Sequence, residues 1–192
     1  METIHGFHRY AAAIRCANLF LINWWESRFK SQALLDETAL ATCLAYVDLN
    51  PIRAQMAATP ETSEFTSAKE RMSTAQKAPE SPERHQPQNL FPFVGYSRQD
   101  MPAGLPFRLQ DYLELVDWTG RQLRDDKRGS IDNGIPPILE RLNIDVEHWV
   151  NNTRHFESQF KGLVGTAISI KTKFQQFGYQ RTPGLGLAEL LT

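Results

Sequence analysis

The chain has 192 residues, of which 41% are hydrophobic and 22% charged, enough for one ordinary soluble domain or two small ones. Its formal net charge of −1 lacks the basic excess typical of a large DNA interface, although a local basic stripe is compatible with a neutral total. No apolar run approaches the roughly 18 residues of a membrane helix, so the sequence predicts no membrane span.

The start of the sequence lacks the basic and apolar regions of a secretory signal. The two cysteines, Cys16 and Cys43, do not form a CxxC pair. This usage favours a reducing compartment and argues against a zinc site. We therefore expect a cytoplasmic protein.

The first predicted domain, residues 1–75, combines helices with one strand. Residues 7–20 are rich in good helix formers, whereas residues 24–35 suit a strand with Arg28 and Lys30 on one face. Asp36 resembles a helix N-cap. The helix that follows, predicted from Glu37 to Leu49, has a buried stripe at helical spacing, formed by Leu40, Cys43, Leu44 and Val47.

Proline and capping patterns divide the rest of this domain. The step from Asn50 to Pro51 must end or kink the helix, because a residue before proline avoids the α region. A new short helix is predicted from Pro51. Ser67 and Glu70 match a capping box, which predicts one more short helix after them.

A proline-rich segment, residues 76–104, is predicted to be an extended and mobile linker between two domains. The second predicted domain, residues 105–192, is expected to be wholly helical, a small bundle with glycine turns. Asp145 is predicted to cap one of its helices and Gly178 to end another. Trp118 and Trp149 occur among apolar residues at helical spacing, which favours core positions over stacking on unpaired bases.

The segment Ala45–Ala54 carries the strongest chemical pattern. Tyr46 and Asn50 are four residues apart, a spacing that places them on one face of a helix. A tyrosine phenol can attack a DNA phosphodiester, and an asparagine carbonyl can ligate a hard divalent cation. The spacing alone favours a structural interpretation, in which Tyr46 flanks the core and Asn50 caps the helix that begins at Pro51.

The segment Tyr-Val-Asp-Leu-Asn-Pro-Ile-Arg-Ala, from Tyr46 to Ala54, resembles the tyrosine helix of the REP-associated tyrosine transposases, relatives of the single-strand insertion-sequence transposases. Residues 25–32 are similar to the segment that precedes that helix in the family. The resemblance covers about residues 9–72. It implies that Tyr46 is the nucleophile, that Asn50 ligates a catalytic Mg²⁺ or Mn²⁺, and that the substrate is single-stranded or hairpin DNA.

The sequence departs from the family pattern in one respect. The family also has a His-hydrophobic-His pair on a strand upstream of the tyrosine helix. Here the upstream histidines are His5 and His8, whose spacing places them on opposite faces of a strand. We therefore expect a chain shortened at its start, with an incomplete metal site, and this leaves the alternative that it binds no metal.

The remaining candidates each have a structural alternative. Arg28, Lys30 and Arg53 are predicted to contact DNA phosphates, although such cations are more often solvated. His148 and His155 share a helix face, but ordinary histidines are far commoner than metal ligands in this pattern.

The fold class expected overall is α+β and mostly α, a remnant of a ferredoxin-like transposase domain followed by a small helical bundle. The expected function is that of a transposase-like protein of DNA transposition, ancestrally cleaving and rejoining single strands through a 5′-phosphotyrosine. The alternatives are a non-catalytic DNA-binding remnant and a helical interaction module without a role on DNA.

Overall fold

A computed structural model describes residues 32–95, 103–124, 134–160, 162–178 and 191. The described residues are mostly helical and include two short strands, which confirms the expected α+β, mostly α class. In chain order the elements are β1 (Ala33–Leu34), α1 (Glu37–Asp48), α2 (Asn50–Arg53), a 3-10 turn (Pro60–Thr62), α3 (Ser67–Lys77), α4 (Leu109–Leu123), α5 (Pro137–Arg141), α6 (Val146–Gln159), β2 (Leu163–Val164) and α7 (Ala167–Gln176).

The chain forms two compact units that do not follow the predicted order of domains. The continuous unit comprises Val47–Ile138, and the discontinuous unit comprises Met1–Tyr46 together with Leu139–Thr192. The sequence places the boundaries at residues 75 and 104 instead. Composition and proline content indicate where a chain turns, but they do not show which distant segments pair with each other.

The discontinuous unit is joined by a small parallel sheet. Strand β1 pairs with β2 in the register Ala33 to Leu163 and Leu34 to Val164. Strand β2 was not predicted, so the expectation of a wholly helical C-terminal part is wrong. A strand of two residues leaves no alternating pattern in a sequence, because its pairing depends on a distant partner.

Helix α1 begins at the predicted cap, because the Asp36 carboxylate accepts from the Ala39 N–H at 2.9 Å. Leu40, Cys43 and Leu44 are buried as predicted. Val47 is only half-buried, so the buried apolar stripe does not extend to Val47 as predicted. In the same unit, Asp145 caps α6 and Trp149 is fully buried, and both predictions are thus confirmed.

The continuous unit has its own apolar core on α4. Tyr112, Leu115 and Trp118 are each at most 1% exposed, as expected for a helix with one strongly apolar face. Helix α3 is capped by Thr66, whose hydroxyl accepts from the Lys69 N–H. The predicted capping box starting at Ser67 is therefore wrong by one residue, and the Ser67 hydroxyl bonds elsewhere.

The proline-rich segment is more structured than its composition predicts. Over residues 78–95 the chain forms successive turns and belongs to the continuous unit. The Gln86 side-chain amide accepts from the Phe93 N–H and donates to the Phe93 carbonyl, both at 2.8 Å. Pro87 and Phe93 are buried. The Gln86 side chain thus satisfies backbone groups of Phe93 that have no partner in a regular helix. The prediction of an extended linker is therefore wrong for these residues.

None of the helices that the structure describes is long and apolar enough to cross a membrane.

Candidate functional site

Tyr46 lies in the last turn of α1, as the sequence predicts. Its phenol donates a hydrogen bond to Glu157 Oε2 at 3.2 Å. Its ring packs against that of Phe156, with centroids 5.4 Å apart and the planes tilted by 36°. Phe156 is buried and in turn contacts Phe160. The tyrosine is therefore anchored by its ring and oriented by a carboxylate, with its hydroxyl near the surface.

An open cleft of about 390 Å³ is lined by Tyr46, Arg154, His155, Glu157 and Ser158. Four of these residues come from the end of α6, where the backbone at His155 leaves helical geometry (φ −122°, ψ 19°). The cleft thus combines a guanidinium, an imidazole, a carboxylate and hydroxyls around one aromatic ring. The sequence does not indicate this cleft, because α6 is distant from Tyr46 along the chain. Its one signal, His155 on the same helix face as His148, is more typical of ordinary histidines.

Asn50 is the first residue of α2 and does not belong to α1. Its side chain does not cap α2, contrary to the structural interpretation of the sequence. The Asn50 Oδ1 atom accepts a hydrogen bond from Arg53 Nη2 at 2.9 Å. The predicted metal ligand and one predicted phosphate contact are therefore bonded to each other.

This pairing does not fit a divalent cation at Asn50. The carbonyl oxygen that would ligate the metal faces a guanidinium, whose positive charge repels a second cation. Within the described parts of the chain, no three or more histidine, cysteine, aspartate or glutamate side chains are close enough to hold a metal ion. The described residues around Asn50 therefore do not form the oxygen-rich set that Mg²⁺ or Mn²⁺ prefers.

Asp48 is a buried carboxyl outside the set of site residues predicted from the sequence. It is 2% exposed and accepts hydrogen bonds from Tyr112 Oη at 2.7 Å and from both the backbone N–H and the hydroxyl of Ser67. Burial raises the pKa of Asp48, while the bonds from Tyr112 and Ser67 and the positive charge of Arg71 oppose that rise. Asp48 therefore joins the start of the continuous unit to α3 and α4.

Arg71 is the buried cation of the same unit. It is 3% exposed, donates to the Phe91 carbonyl at 2.8 Å, and lies 4.5 Å from the centroid of the Phe93 ring. Burial lowers the pKa of Arg71, and electrostatic interactions with Tyr112 and Asp48 oppose that fall. The guanidinium consequently acts inside the core and is not available to a phosphate at the surface.

Several predicted residues lie outside the described part of the chain. These are Arg28, Lys30, His5, His8 and Cys16. The other cysteine, Cys43, is buried in α1, and burial raises its pKa to about 12. A thiol with so high a pKa supplies almost no thiolate at neutral pH, so Cys43 is a core residue and not a nucleophile.

No protein-family model matches the chain, no curated protein is detectably similar to it, and no solved structure resembles it.

Proposed function

We propose that the chain is a transposase-like protein that acts in DNA transposition and binds single-stranded or hairpin DNA in the cytoplasm. The proposal includes descent of the tyrosine segment from a ferredoxin-like transposase domain. The observation that carries it is Tyr46. The motif tyrosine lies in a helix, packs against the ring of Phe156, and lines an open cleft of mixed charge.

We further propose that this chain does not complete the cleavage reaction by itself. A phenol is almost fully protonated at neutral pH and is a weak nucleophile unless its target phosphate is polarised. The oxygen of Asn50 is bonded to the Arg53 guanidinium and does not offer a site for the ion that would do this. DNA binding does not depend on that ion, because phosphate contacts require only cations and N–H donors.

The test uses a radiolabelled hairpin with a single-stranded tail, incubated with the chain and Mg²⁺ or Mn²⁺ and resolved on a denaturing gel. We expect no covalent protein–DNA adduct. An adduct that is absent with Tyr46→Phe would show that the chain does cleave DNA and that the proposed loss of catalysis is wrong.

DNA binding is tested separately by the mobility of the same hairpin on a native gel over a range of salt concentrations. We expect binding that weakens steeply with salt, because each neutralised phosphate releases condensed counterions. Absence of binding at low salt would reject a role on DNA and favour a helical interaction module.

A further inference from the structure

The cleft beside Tyr46 presents groups of opposite charge to the same small volume. Arg154 contributes a guanidinium and Glu157 a carboxylate, while His155 and Ser158 add an imidazole and a hydroxyl. A simple anion would be attracted by Arg154 but repelled by Glu157. The combination suits a ligand that carries a negative group and hydrogen-bond donors on different atoms.

We propose that this cleft binds one unpaired nucleotide of single-stranded DNA, with its phosphate at Arg154 and His155 and its base at Tyr46 and Glu157. This inference rests on the proposed function and identifies the surface that performs it. A nucleotide has an anionic phosphate and, on three of the four bases, an amino group that donates. The volume of about 390 Å³ is within the range of small-ligand pockets.

The phosphate end of the site is formed around the irregular turn of α6. A guanidinium has five N–H donors in a fixed fork, so Arg154 can contact a phosphate while keeping other bonds. The exposed His155 side chain follows it directly in the chain, at the residue where the backbone leaves helical geometry. The Ser158 hydroxyl donates to the His155 carbonyl at 2.8 Å, which ties this turn together.

The base end of the site is formed by Tyr46 and Glu157. An aromatic wall stacks on any base, because every base has a π-face. The Glu157 carboxylate, which accepts from the Tyr46 hydroxyl, can accept from the amino group of cytosine, adenine or guanine. Thymine has no amino group. The cleft therefore favours cytosine over thymine, and the preference depends on Glu157.

The experiment measures the binding of fluorescent oligo(dC) and oligo(dT) of equal length by anisotropy, as a function of salt. We expect tighter binding of oligo(dC) to the unaltered chain and loss of that preference in Glu157→Gln. Arg154→Ala should weaken binding about tenfold, as expected for a lost charge-assisted hydrogen bond. It should also reduce the slope of log affinity against log salt by about 0.7, the value for one phosphate contact on a single strand.

The matched control is Lys171→Ala, which removes one positive charge from an exposed position on α7 of the same unit. It should change neither the base preference nor the affinity by more than a small factor. Arg154→Lys keeps the charge and should restore most of the salt slope. Thermal melting of each variant shows whether the fold is retained.

The outcomes separate this inference from the proposed function. If the chain binds DNA but Arg154→Ala behaves like Lys171→Ala, or if Glu157→Gln keeps the base preference, the cleft is not the nucleotide site and the proposed function stands. If neither oligonucleotide binds at low salt, both are rejected.

Discussion

At the scale of single residues, Asp48 shows how a buried charge affects stability. Its carboxyl has its pKa raised from 3.8 by burial, so the folded state favours the protonated form more than the unfolded state does. The stability that Asp48 contributes is therefore fully present below the unfolded pKa and is lost as the pH rises through the folded pKa.

We predict that Asp48→Asn reduces this pH dependence. As the pH rises above about 4, the ordinary pKa of an aspartate, the unaltered chain should lose unfolding free energy relative to the variant, because only the carboxyl must ionise inside the core. Urea denaturation at several pH values measures the difference. The exposed Glu147→Gln is the control and should leave the profile unchanged. The prediction is contradicted if the difference in unfolding free energy between Asp48→Asn and the unaltered chain is the same at every pH.

Asp48→Ala is a separate prediction at this scale. It removes the acceptor of the buried Tyr112 hydroxyl and of the half-buried Ser67. We expect a loss of about 2–4 kcal/mol of unfolding free energy, the cost of losing more than one hydrogen bond to a buried carboxyl. Chemical denaturation measures it, and a loss below about 0.5 kcal/mol would show that water replaces the carboxylate.

Some of these residues are predictable from the sequence and others are not. Leu40 and Leu44 are predictable as core residues because burial on a helix leaves a periodic trace. Asp48 continues the same spacing, four residues after Leu44, but a charged side chain does not by itself predict burial. Its role depends on Tyr112, which is distant along the chain, and a single sequence does not indicate that pairing. The same holds for Glu157 and Tyr46.

At the scale of elements, one carboxylate joins two parts of the discontinuous unit. Asp36 Oδ1 accepts from Ala39 N–H at the start of α1, and Asp36 Oδ2 accepts from Thr166 N–H at 2.7 Å, just before α7. The residue is predictable as a cap, because aspartate before a helical stripe is a known signal. The hydrogen bond from Thr166 is not predictable, because it depends on the pairing of β1 with β2.

We predict that Asp36→Ala lowers the unfolding free energy more than Asp145→Ala does. Asp145 also accepts from two N–H groups, but both belong to its own helix. Loss of a cap costs about 0.5–2 kcal/mol, and Asp36→Ala should add about 1 kcal/mol for the bond to Thr166. Thermal denaturation of both variants measures the difference. Equal losses would show that the bond to Thr166 contributes nothing.

The loop that leads into α4 offers a sharper steric test. A Cβ atom on Gly104 would lie 2.4 Å from the carbonyl oxygen of Pro92, whereas one on Gly134 would meet nothing within 4 Å. Gly104→Ala should therefore cost about 1–3 kcal/mol, the range for an overpacked site. Gly134→Ala should be neutral or slightly stabilising. The melting temperatures of the two variants test this prediction. Equal values would mean that the Pro92 backbone moves aside without a loss of stability.

At the scale of the whole molecule, the units cross the boundaries that the sequence indicates. A fragment of residues 47–138 contains the buried set of the continuous unit, including Tyr112 and Trp118. We predict that this fragment folds alone and unfolds cooperatively in urea. A fragment of residues 1–75 combines an incomplete piece of each unit and should not fold alone. Cooperative unfolding of the second fragment would restore the domain boundary predicted from the sequence.

The parallel pairing of β1 with β2 also constrains the order of events during protein synthesis. Asp36 and Thr166 are 130 residues apart in the chain. The ribosome releases the chain from its amino end, and nearby contacts form before distant ones. All of the continuous unit leaves the ribosome before the segment that completes the other unit. Residues 32–46 therefore leave the ribosome without their β2 and α6 neighbours, and a later part of the chain folds before those neighbours are made.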